Sequence, residues 1–319
     1  MINRRVLRVR VLQFLYSYEK TCNHISNFSS YSNDVFSDLE KSIDLIFPLY
    51  LEMFSFPFKF YYLNIREKSI SKNLIVKKIK SRHNLSQNKI IESLVKNKTF
   101  KKTYLNYNIE IDNCTDNIII DSYKLLLKDS EAINYQNKIS TTKEKDMAFL
   151  KHIYFKFLFK LDELDKYFLD KDLFWMEDKL IIKSMIKKTY DILNSIKLDK
   201  FVFAELSDDL SDDKNFVKNL YYGVLDGGKY FDGLISENSK NWDIERISDI
   251  DRILLKMGIC EFLNFQNIPV KVTINEYIDI AKKYSTPKSK KFINGVLDVL
   301  LKTIKDKIHK TGKGLIDNK

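Results

Sequence analysis

Residues 268–298 read IPVKVTINEYIDIAKKYSTPKSKKFINGVLD, and this pattern indicates two consecutive amphipathic helices. Pro269 is a helix-start signal, because its fixed φ and missing N–H suit the first helical position. The Ser-Thr-Pro run at 285–287 should end this helix, since the residue before a proline disfavours the α region. We expect Ser289 to cap the second helix. The apolar stripes at the helical period consist of Val270, Ile274, Tyr277, Ile278 and Ala281, and then of Phe292, Val296, Leu300 and Ile304.

The same period extends outward to residues 247–262 and to Leu7, Val11 and Leu15 near the start of the chain. All eight glycines lie at or after Gly223. Strand-rich folds need turn residues, so this distribution favours long helices joined by polar loops, with breaks predicted at 29–33, 106–117 and 207–213. The predicted fold class is all-α, a helical bundle with an additional helical region in the N-terminal and middle part.

The polar run at 207–213 is the predicted domain boundary, because glycine usage changes soon after it. Residues 1–206 would hold an arginine-rich first helix, packed with the C-terminal domain, and a helical insertion. Residues 207–319 would form the C-terminal domain. A repeat at an offset of 67 residues relates 149–155 to 216–222 and Trp175 to Trp242, and it indicates either a duplicated helix pair or a coincidence of biased composition.

The 319-residue chain has a formal net charge of +11, most of which lies at its two ends. Residues 1–20 carry five basic side chains against one acidic, and residues 285–319 carry nine lysines against three aspartates. Clustered cations of this kind favour a polyanionic partner. Three widely spaced cysteines give no disulfide framework, so a cytoplasmic location is expected. Residues 45–63 are predicted to form a buried core helix and not a membrane span, because Glu52 and Lys59 interrupt them.

The sequence lacks the signatures of common enzyme classes. It has no Gly-x-Gly-x-x-Gly motif, no Gly-Lys-Ser/Thr loop and no His-Glu-x-x-His. The acidic run at 208–213 lacks the glycine and the terminal glutamate of a calcium loop. We interpret this run as a solvated linker with helix-capping aspartates. No catalytic residue, cofactor or metal site is predicted.

The first helix carries a candidate nucleic-acid surface. At about 100° per residue, Arg5, Arg8, Gln13 and Tyr16 project from one shoulder of this helix. Guanidinium groups pair with phosphate, and flat rings stack on unpaired bases. A solvated basic face with a half-buried tyrosine explains the same pattern equally well.

The last helix offers a matching feature at its start. Backbone N–H groups at a helix N-terminus favour an anion, and basic side chains surround this one. An aromatic and an amide side chain follow within one turn, although the aromatic fits a core position equally well. These two surfaces act together only if the fold brings them close to each other. The candidate residues are Lys288, Ser289, Lys290, Lys291, Phe292 and Asn294.

Several blocks of the sequence resemble the NusB family of transcription antitermination proteins. Residues 4–16, RRVLRVRVLQFLY, are similar to the first helix of that family. Residues 268–277 and 281–284 are similar to its VPYKVAINEAIELAK block, and 291–298, KFINGVLD, to its KFVNGVLD signature. The resemblance covers about residues 1–20 and 211–308, and it leaves the middle of the chain outside.

The resemblance implies an all-helical RNA-binding factor and not an enzyme. It implies binding of single-stranded boxA-type RNA with the ribosomal protein NusE, association with the RNA polymerase elongation complex, and suppression of termination in ribosomal RNA operons. The alternatives are an all-helical protein-interaction scaffold with no specific RNA target and an RNA-modifying enzyme, for which a nucleotide-binding loop is missing. The family's RNA contacts would fall on Arg4, Arg5, Arg8, Gln13, Tyr16, Lys291, Phe292 and Asn294.

Two features depart from the compact family. The loop before the last helix is basic at 288–290, where the family is usually acidic or glycine-bearing. The long insertion resembles that of enlarged family members in some bacterial lineages, and the compact family implies no role for it.

Overall fold

The computed structural model describes residues 2–22, 28–73, 84–138, 140–195, 200–239, 247–311 and 314. The fold is all-α, as predicted, and no strand occurs within these ranges. Fourteen α-helices lie in the described part of the chain, and in chain order they are α1 (Arg4–Cys22), α2 (Phe28–Asp44), α3 (Ile46–Asn73), α4 (Lys89–Lys96), α5 (Lys98–Asn106), α6 (Asn117–Leu126), α7 (Ser130–Gln136), α8 (Lys143–His152), α9 (Asp162–Leu169), α10 (Trp175–Ser195), α11 (Leu210–Asn238), α12 (Asp249–Asn264), α13 (Val270–Tyr284) and α14 (Ser289–Thr303).

The chain divides into two units. The middle unit is Ser42–Leu206, and the terminal unit combines Ile2–Lys41 with Ser207–Lys319. Of the predicted region 1–206, residues 2–41 lie in the terminal unit and residues 42–206 in the middle unit. Helix α1 packs on α11 and α12 within the terminal unit.

Helix α12 lies at the centre of the terminal unit. It packs against α1, α11, α13 and α14, and every residue from Ile253 to Phe262 is buried. A helix that is surrounded on all sides is apolar around most of its circumference, which explains the run ILLKMGICEF. Its cap is Ser248, whose Oγ accepts a hydrogen bond from the backbone N–H of Asp251 at 3.1 Å.

The two helices of residues 268–298 form as predicted, with one correction. Helix α13 begins at Val270, directly after the proline, and ends at Tyr284 before the Ser-Thr-Pro run. The expectation that Ser289 caps α14 is wrong, because Lys288 precedes the helix and Ser289 is its first residue. Ser289 Oγ instead donates to Asp251 Oδ2 at 2.7 Å, so it joins the starts of α14 and α12.

Helices α11 and α12 approach each other closely at Gly223. A Cβ atom at this position would lie 2.6 Å from Cys260 Sγ and 3.1 Å from Asn264 Nδ2. Further along α11, Gly228 has a φ of 28°, and the helix is kinked there. Glycine adopts this positive φ without the steric cost that a Cβ imposes.

The middle unit is built around α3, which packs against α4, α6 and α10. Most side chains of α3 between Leu49 and Phe60 are buried, so the predicted core helix at 45–63 is confirmed. The rings of Phe54 and Tyr154 stack with centroids 5.3 Å apart, and the Tyr154 hydroxyl donates to the Phe54 carbonyl oxygen at 2.7 Å. No described helix has both the length and the apolar character that crossing a membrane requires.

Two of the three predicted breaks are confirmed. Residues 106–117 separate α5 from α6, and 207–213 lead into α11, where Asp209 caps the helix by accepting from the Asp212 N–H at 2.9 Å. Residues 29–33 lie inside α2, so the break predicted there is wrong. The 67-residue repeat stays a prediction. Residues 149–155 run from α8 into a π-helical turn, 216–222 lie within α11, and Trp242 lies outside the described residues.

We expect Gly223→Ala to destabilise the terminal unit. The added methyl group would push α11 away from α12, and overpacking of this kind costs about 1–3 kcal/mol. Gly233→Ala in the same helix is the matched control, because no atom lies within 4 Å of its Cβ position; it should gain up to about 1 kcal/mol from helix propensity. Urea unfolding followed by circular dichroism measures the free energy of unfolding of both variants. An equal gain for the two variants would contradict the close contact at Gly223.

Candidate nucleic-acid interface

A buried ion pair holds α1 against α12 and α13. Arg8 Nε donates to Glu261 Oε1 at 2.6 Å, and Nη2 donates to Oε2 at 2.9 Å. The Tyr277 hydroxyl donates to Oε1 at 2.6 Å, and Thr273 Oγ1 donates to Oε2 at 3.1 Å. One carboxylate therefore accepts four hydrogen bonds, while Arg8 is only 2% exposed and Glu261 is fully enclosed.

The expectation that Arg8 lies on the open shoulder of α1 is therefore wrong. Burial by itself lowers the pKa of the Arg8 guanidinium, but hydrogen bonding and charge from Glu261 outweigh that effect and raise the pKa. Burial, and then the charge of Glu261, raise the pKa of Tyr277, so its hydroxyl stays protonated and continues to donate. Helical spacing places Arg8 near Arg5 but does not reveal that two other helices cover it.

Arg5 lies one turn earlier and is exposed. Its Nε and Nη2 donate to the two carboxylate oxygens of Glu276, both at 2.8 Å, and Nη2 also lies 3.1 Å from Asp279 Oδ2. Hydrogen bonding to Glu276 raises the pKa of Arg5. The charge of this arginine is therefore balanced within the terminal unit, although its side chain remains accessible.

The start of α14 has a different electrostatic character. Lys288, Lys290 and Lys291 are exposed and form no ion pair with another described residue. The backbone N–H groups of the first turn of α14 add partial positive charge at the same place. These lysines therefore have no salt bridge to a carboxylate among the described residues, although the charge of Lys290 acts on Asp279.

Two predicted contact residues at this helix start are buried. Ser289 is bonded to Asp251, and the ring of Phe292 belongs to the hydrophobic core. For Phe292 the structure agrees with the core alternative. The expectation that Ser289 faces a ligand from the surface is wrong, because its hydroxyl anchors the first turn of α14 on α12. Asn294 is half-buried, and its Nδ2 donates to Asp298 Oδ2 at 3.2 Å.

Asp279 on α13 lies between the two basic helix starts. Its Oδ1 accepts from Lys282 Nζ at 2.5 Å, and its Oδ2 lies 3.1 Å from Arg5. Hydrogen bonding from Lys282, and then the positive charges of Lys282, Arg5 and Lys290, lower the pKa of Asp279. Asp279 therefore pairs with Arg5 at the start of α1 and also responds to the charge of Lys290 at the start of α14.

The second half of α1 lies beside the start of α12. Lys20 Nζ donates to Asp249 Oδ2 at 2.5 Å and lies 5.5 Å from the centroid of the Tyr16 ring. Tyr16 is 39% exposed. Gln13 is half-buried, and its Oε1 has no hydrogen-bond partner among the described residues. Of the predicted residues on α1, Tyr16 thus offers an accessible ring.

An amide-rich cleft of about 930 Å³ lies beside Arg4 and Arg5. The Arg4 guanidinium lies 4.3 Å from the centroid of the Phe216 ring, and its Nε is 3.0 Å from Asp213 Oδ1. Aromatic rings, guanidinium planes and side-chain amides are groups that stack on unpaired bases or hydrogen-bond their edges. Sequence reasoning missed this cleft, because its amides come from three separate segments. They are Asn3, Asn215, Asn219, Asn264, Gln266 and Asn267.

The thiol of Cys260 is buried where α12 packs against α11. Burial raises the pKa of Cys260 to about 12, so its thiol is protonated at neutral pH. Across the described ranges, no group of three or more His, Cys, Asp or Glu side chains is arranged to hold a metal ion.

The sequence model of the NusB family matches residues 183–302 of this chain. The transcription antitermination protein NusB of Dictyoglomus turgidum is 35% identical over 131 residues, which are 41% of this chain and 90% of that protein. The chain belongs to the NusB family. Residues 42–182, most of the middle unit, lie outside the NusB match.

Two further relatives carry the name transcription antitermination protein NusB. That of Salinibacter ruber is 43% identical over 105 residues, 32% of this chain and 66% of that protein. That of Chloroherpeton thalassium is 38% identical over 126 residues, 38% of this chain and 60% of that protein. The chain thus spans less than two thirds of the length of these two NusB proteins. The solved structure of T. maritima NusB is 31% identical, with 38% of this chain and 85% of that chain covered and a TM-score of 0.28.

We expect Arg8→Met to lower the free energy of unfolding by about 3–5 kcal/mol, because it leaves the buried Glu261 carboxylate without its cation. Adding Glu261→Gln removes the uncompensated charge and keeps an acceptor oxygen for Tyr277, so the double variant should be more stable than Arg8→Met alone. Arg5→Met on the accessible side of α1 is the control and should cost less than about 1 kcal/mol. Urea unfolding measures the free energy of unfolding of each variant. Equal losses of stability for Arg5→Met and Arg8→Met would show that the buried ion pair stabilises the terminal unit no more than the exposed one does.

Proposed function

We propose that this chain is a transcription antitermination factor whose terminal unit binds single-stranded RNA of the boxA type. The observation that carries the proposal is the group of exposed lysines at the start of α14, which has no carboxylate partner among the described residues. Exposed lysines beside a helix N-terminus attract phosphate through their ammonium groups, and the helix dipole adds to this attraction. The antitermination role is supported by the names of the three relatives, each of which is a transcription antitermination protein NusB.

In this proposal, the accessible residues of the predicted set divide into two roles. Lys288, Lys290 and Lys291 contact phosphates. When RNA is bound, Arg5 also contacts a phosphate, from the other side of Asp279. Tyr16 and Asn294 contact bases, since rings stack on unpaired bases and amides hydrogen-bond their edges. The amide-rich cleft beside Arg4 extends the base-contacting surface along the terminal unit.

The buried members of the predicted set act as positioning residues in this proposal. Arg8 sets the position of α1, and hence of Arg5, through Glu261. Ser289 anchors the first turn of α14 on α12, and Phe292 fixes the same turn in the core. Replacing these residues would weaken RNA binding indirectly, by moving the exposed lysines.

The proposed partners follow from the family resemblance. The chain would act in the cytoplasm with the ribosomal protein NusE and the RNA polymerase elongation complex, and would suppress termination in ribosomal RNA operons. The effect of NusE on RNA affinity distinguishes the proposed antitermination factor from a helical scaffold without an RNA target. An antitermination factor should bind boxA RNA more tightly when NusE is present, whereas a helical scaffold without an RNA target should bind boxA and scrambled RNA alike.

We expect the double charge reversal Lys290→Glu and Lys291→Glu to weaken boxA RNA binding by about tenfold or more, because two phosphate contacts are lost. The dependence of log affinity on log salt should also become shallower, by about 0.7 for each contact. The matched control is Lys302→Glu with Lys305→Glu, the same charge change about 18 Å away along the helix direction. Fluorescence anisotropy with labelled boxA and scrambled RNA, with and without NusE, gives the affinities.

The control decides how the result is interpreted. If both double variants lose affinity equally, the RNA senses only the overall charge, and the assignment to the start of α14 is wrong. If the natural chain does not distinguish boxA from scrambled RNA even with NusE, the proposed function itself is wrong.

A further inference from the structure

One face of α10 in the middle unit exposes large apolar side chains. Leu173, in the turn before the helix, is 85% exposed, Met176 is 55% exposed and Leu180 is 70% exposed. They follow each other at steps of three and four residues, so they form one line along the helix. A contiguous exposed apolar line of this kind marks an interaction site more often than single exposed apolar residues do.

The line continues as a basic strip. Lys183 and Lys187 follow Leu180 at further steps of three and four residues, and both are exposed. Neither is in an ion pair with another described residue, and Asp191, one turn further on, is not paired with them. We call the line Leu173, Met176, Leu180, Lys183 and Lys187 the α10 seam.

The neighbouring lysines differ from those of the α10 seam. Lys179 is paired with Asp165 at 2.7 Å, and Lys171 is paired with Glu52 at 2.5 Å. The opposite face of α10, which includes Trp175 and Ile182, is buried in the middle unit. The helix is therefore fixed on one side, and on the other it presents apolar groups followed by two lysines that have no carboxylate partner among the described residues. Of these two, Lys183 has its Nζ 5.7 Å from the centroid of the Phe159 ring.

The spacing of the α10 seam points to a helix as the occupant. Alternating steps of three and four residues are the pattern along which two helices pack side by side. The seam spans about 21 Å, or four helical turns. Its apolar half lies before residue 183, outside the residues that match the NusB family, so this half belongs to the chain's own insertion.

The charge of the α10 seam argues against a second copy of this chain. Parallel pairing of two seams would place Lys183 against Lys183, and antiparallel pairing over the whole seam would place Leu173 against Lys187. Both arrangements set a cation against a cation or against an apolar side chain. A complementary helix instead carries apolar residues beside Leu173 and Leu180 and carboxylates beside the two lysines.

We propose that the α10 seam is a docking site for an amphipathic helix of a partner protein, apolar at one end and acidic at the other. This site is separate from the proposed RNA-binding surface and does not rest on it. The middle unit would thereby add a protein contact to a chain that belongs to the NusB family.

The test uses the full chain and synthetic helical peptides of 21 residues. Two peptides carry leucines at alternating steps of three and four residues in one half and glutamates in the other half, in the two possible orders along the chain. A third and a fourth peptide replace the glutamates with lysines. Fluorescence anisotropy of labelled peptides measures binding, and circular dichroism verifies that each protein variant keeps its helical content.

One glutamate peptide should bind the natural chain at least tenfold more tightly than its lysine counterpart. Met176→Ser with Leu180→Ser should weaken this binding at least tenfold. The control Leu105→Ser with Leu125→Ser, which removes two exposed leucines elsewhere in the middle unit, should change it less than twofold. Lys183→Glu with Lys187→Glu should reverse the preference in favour of the lysine peptide. RNA affinity should be unchanged in all of these variants.

Three results would overturn the proposal. The first is equal binding of glutamate and lysine peptides by the natural chain. The second is equal loss of binding in the seam variant and in the Leu105/Leu125 control. The third is self-association of the natural chain in sedimentation that disappears in Met176→Ser with Leu180→Ser, which would identify a second copy as the occupant.

Discussion

The terminal unit depends on the buried contact between Arg8 and Glu261. Removing two charges from water is costly, and the cost is offset only where the charges pair closely and the remaining polar atoms are bonded. Glu261 meets this condition with four hydrogen bonds from three side chains. Because the donors come from α1 and α13 and the acceptor from α12, this one carboxylate sets the position of three helices.

The positive charges of the terminal unit fall into two groups, those paired with carboxylates and those without such a partner among the described residues. The cations of α1 described above, including Arg4, Arg5, Arg8 and Lys20, are engaged by carboxylates of the same unit and serve mainly to hold the helices together. The lysines at the start of α14 have no such engagement among the described residues. A net charge of +11 thus includes an internal contribution that maintains the fold and an external one that is available to a polyanion.

Much of the fold follows from local sequence. The proline before α13 and the Ser-Thr-Pro run after it define both ends of that helix, because they act through backbone geometry within a few residues. The break predicted at 29–33 was wrong, because α2 runs through these residues and its Phe36 packs on Tyr221 of α11, a tertiary contact that local sequence does not specify. The residue types at the candidate interface could be predicted from the sequence, but the exposure of their side chains could not. Spacing placed Arg8 on a shoulder, whereas Glu261, Thr273 and Tyr277, more than 250 residues away, decide that it is buried.

The separation of Arg8 and Glu261 along the chain affects the order in which the protein can fold during its synthesis. Arg8 and Glu261 are separated by 253 residues, and the middle unit lies between them. At about 5–20 residues per second, the ribosome completes Glu261 roughly 10–50 s after Arg8. During this interval α1 has its arginine but no acidic partner, while the middle unit already has all of its residues by Leu206. The nascent chain can therefore complete its middle unit before the helix that is made first meets its partner on α12.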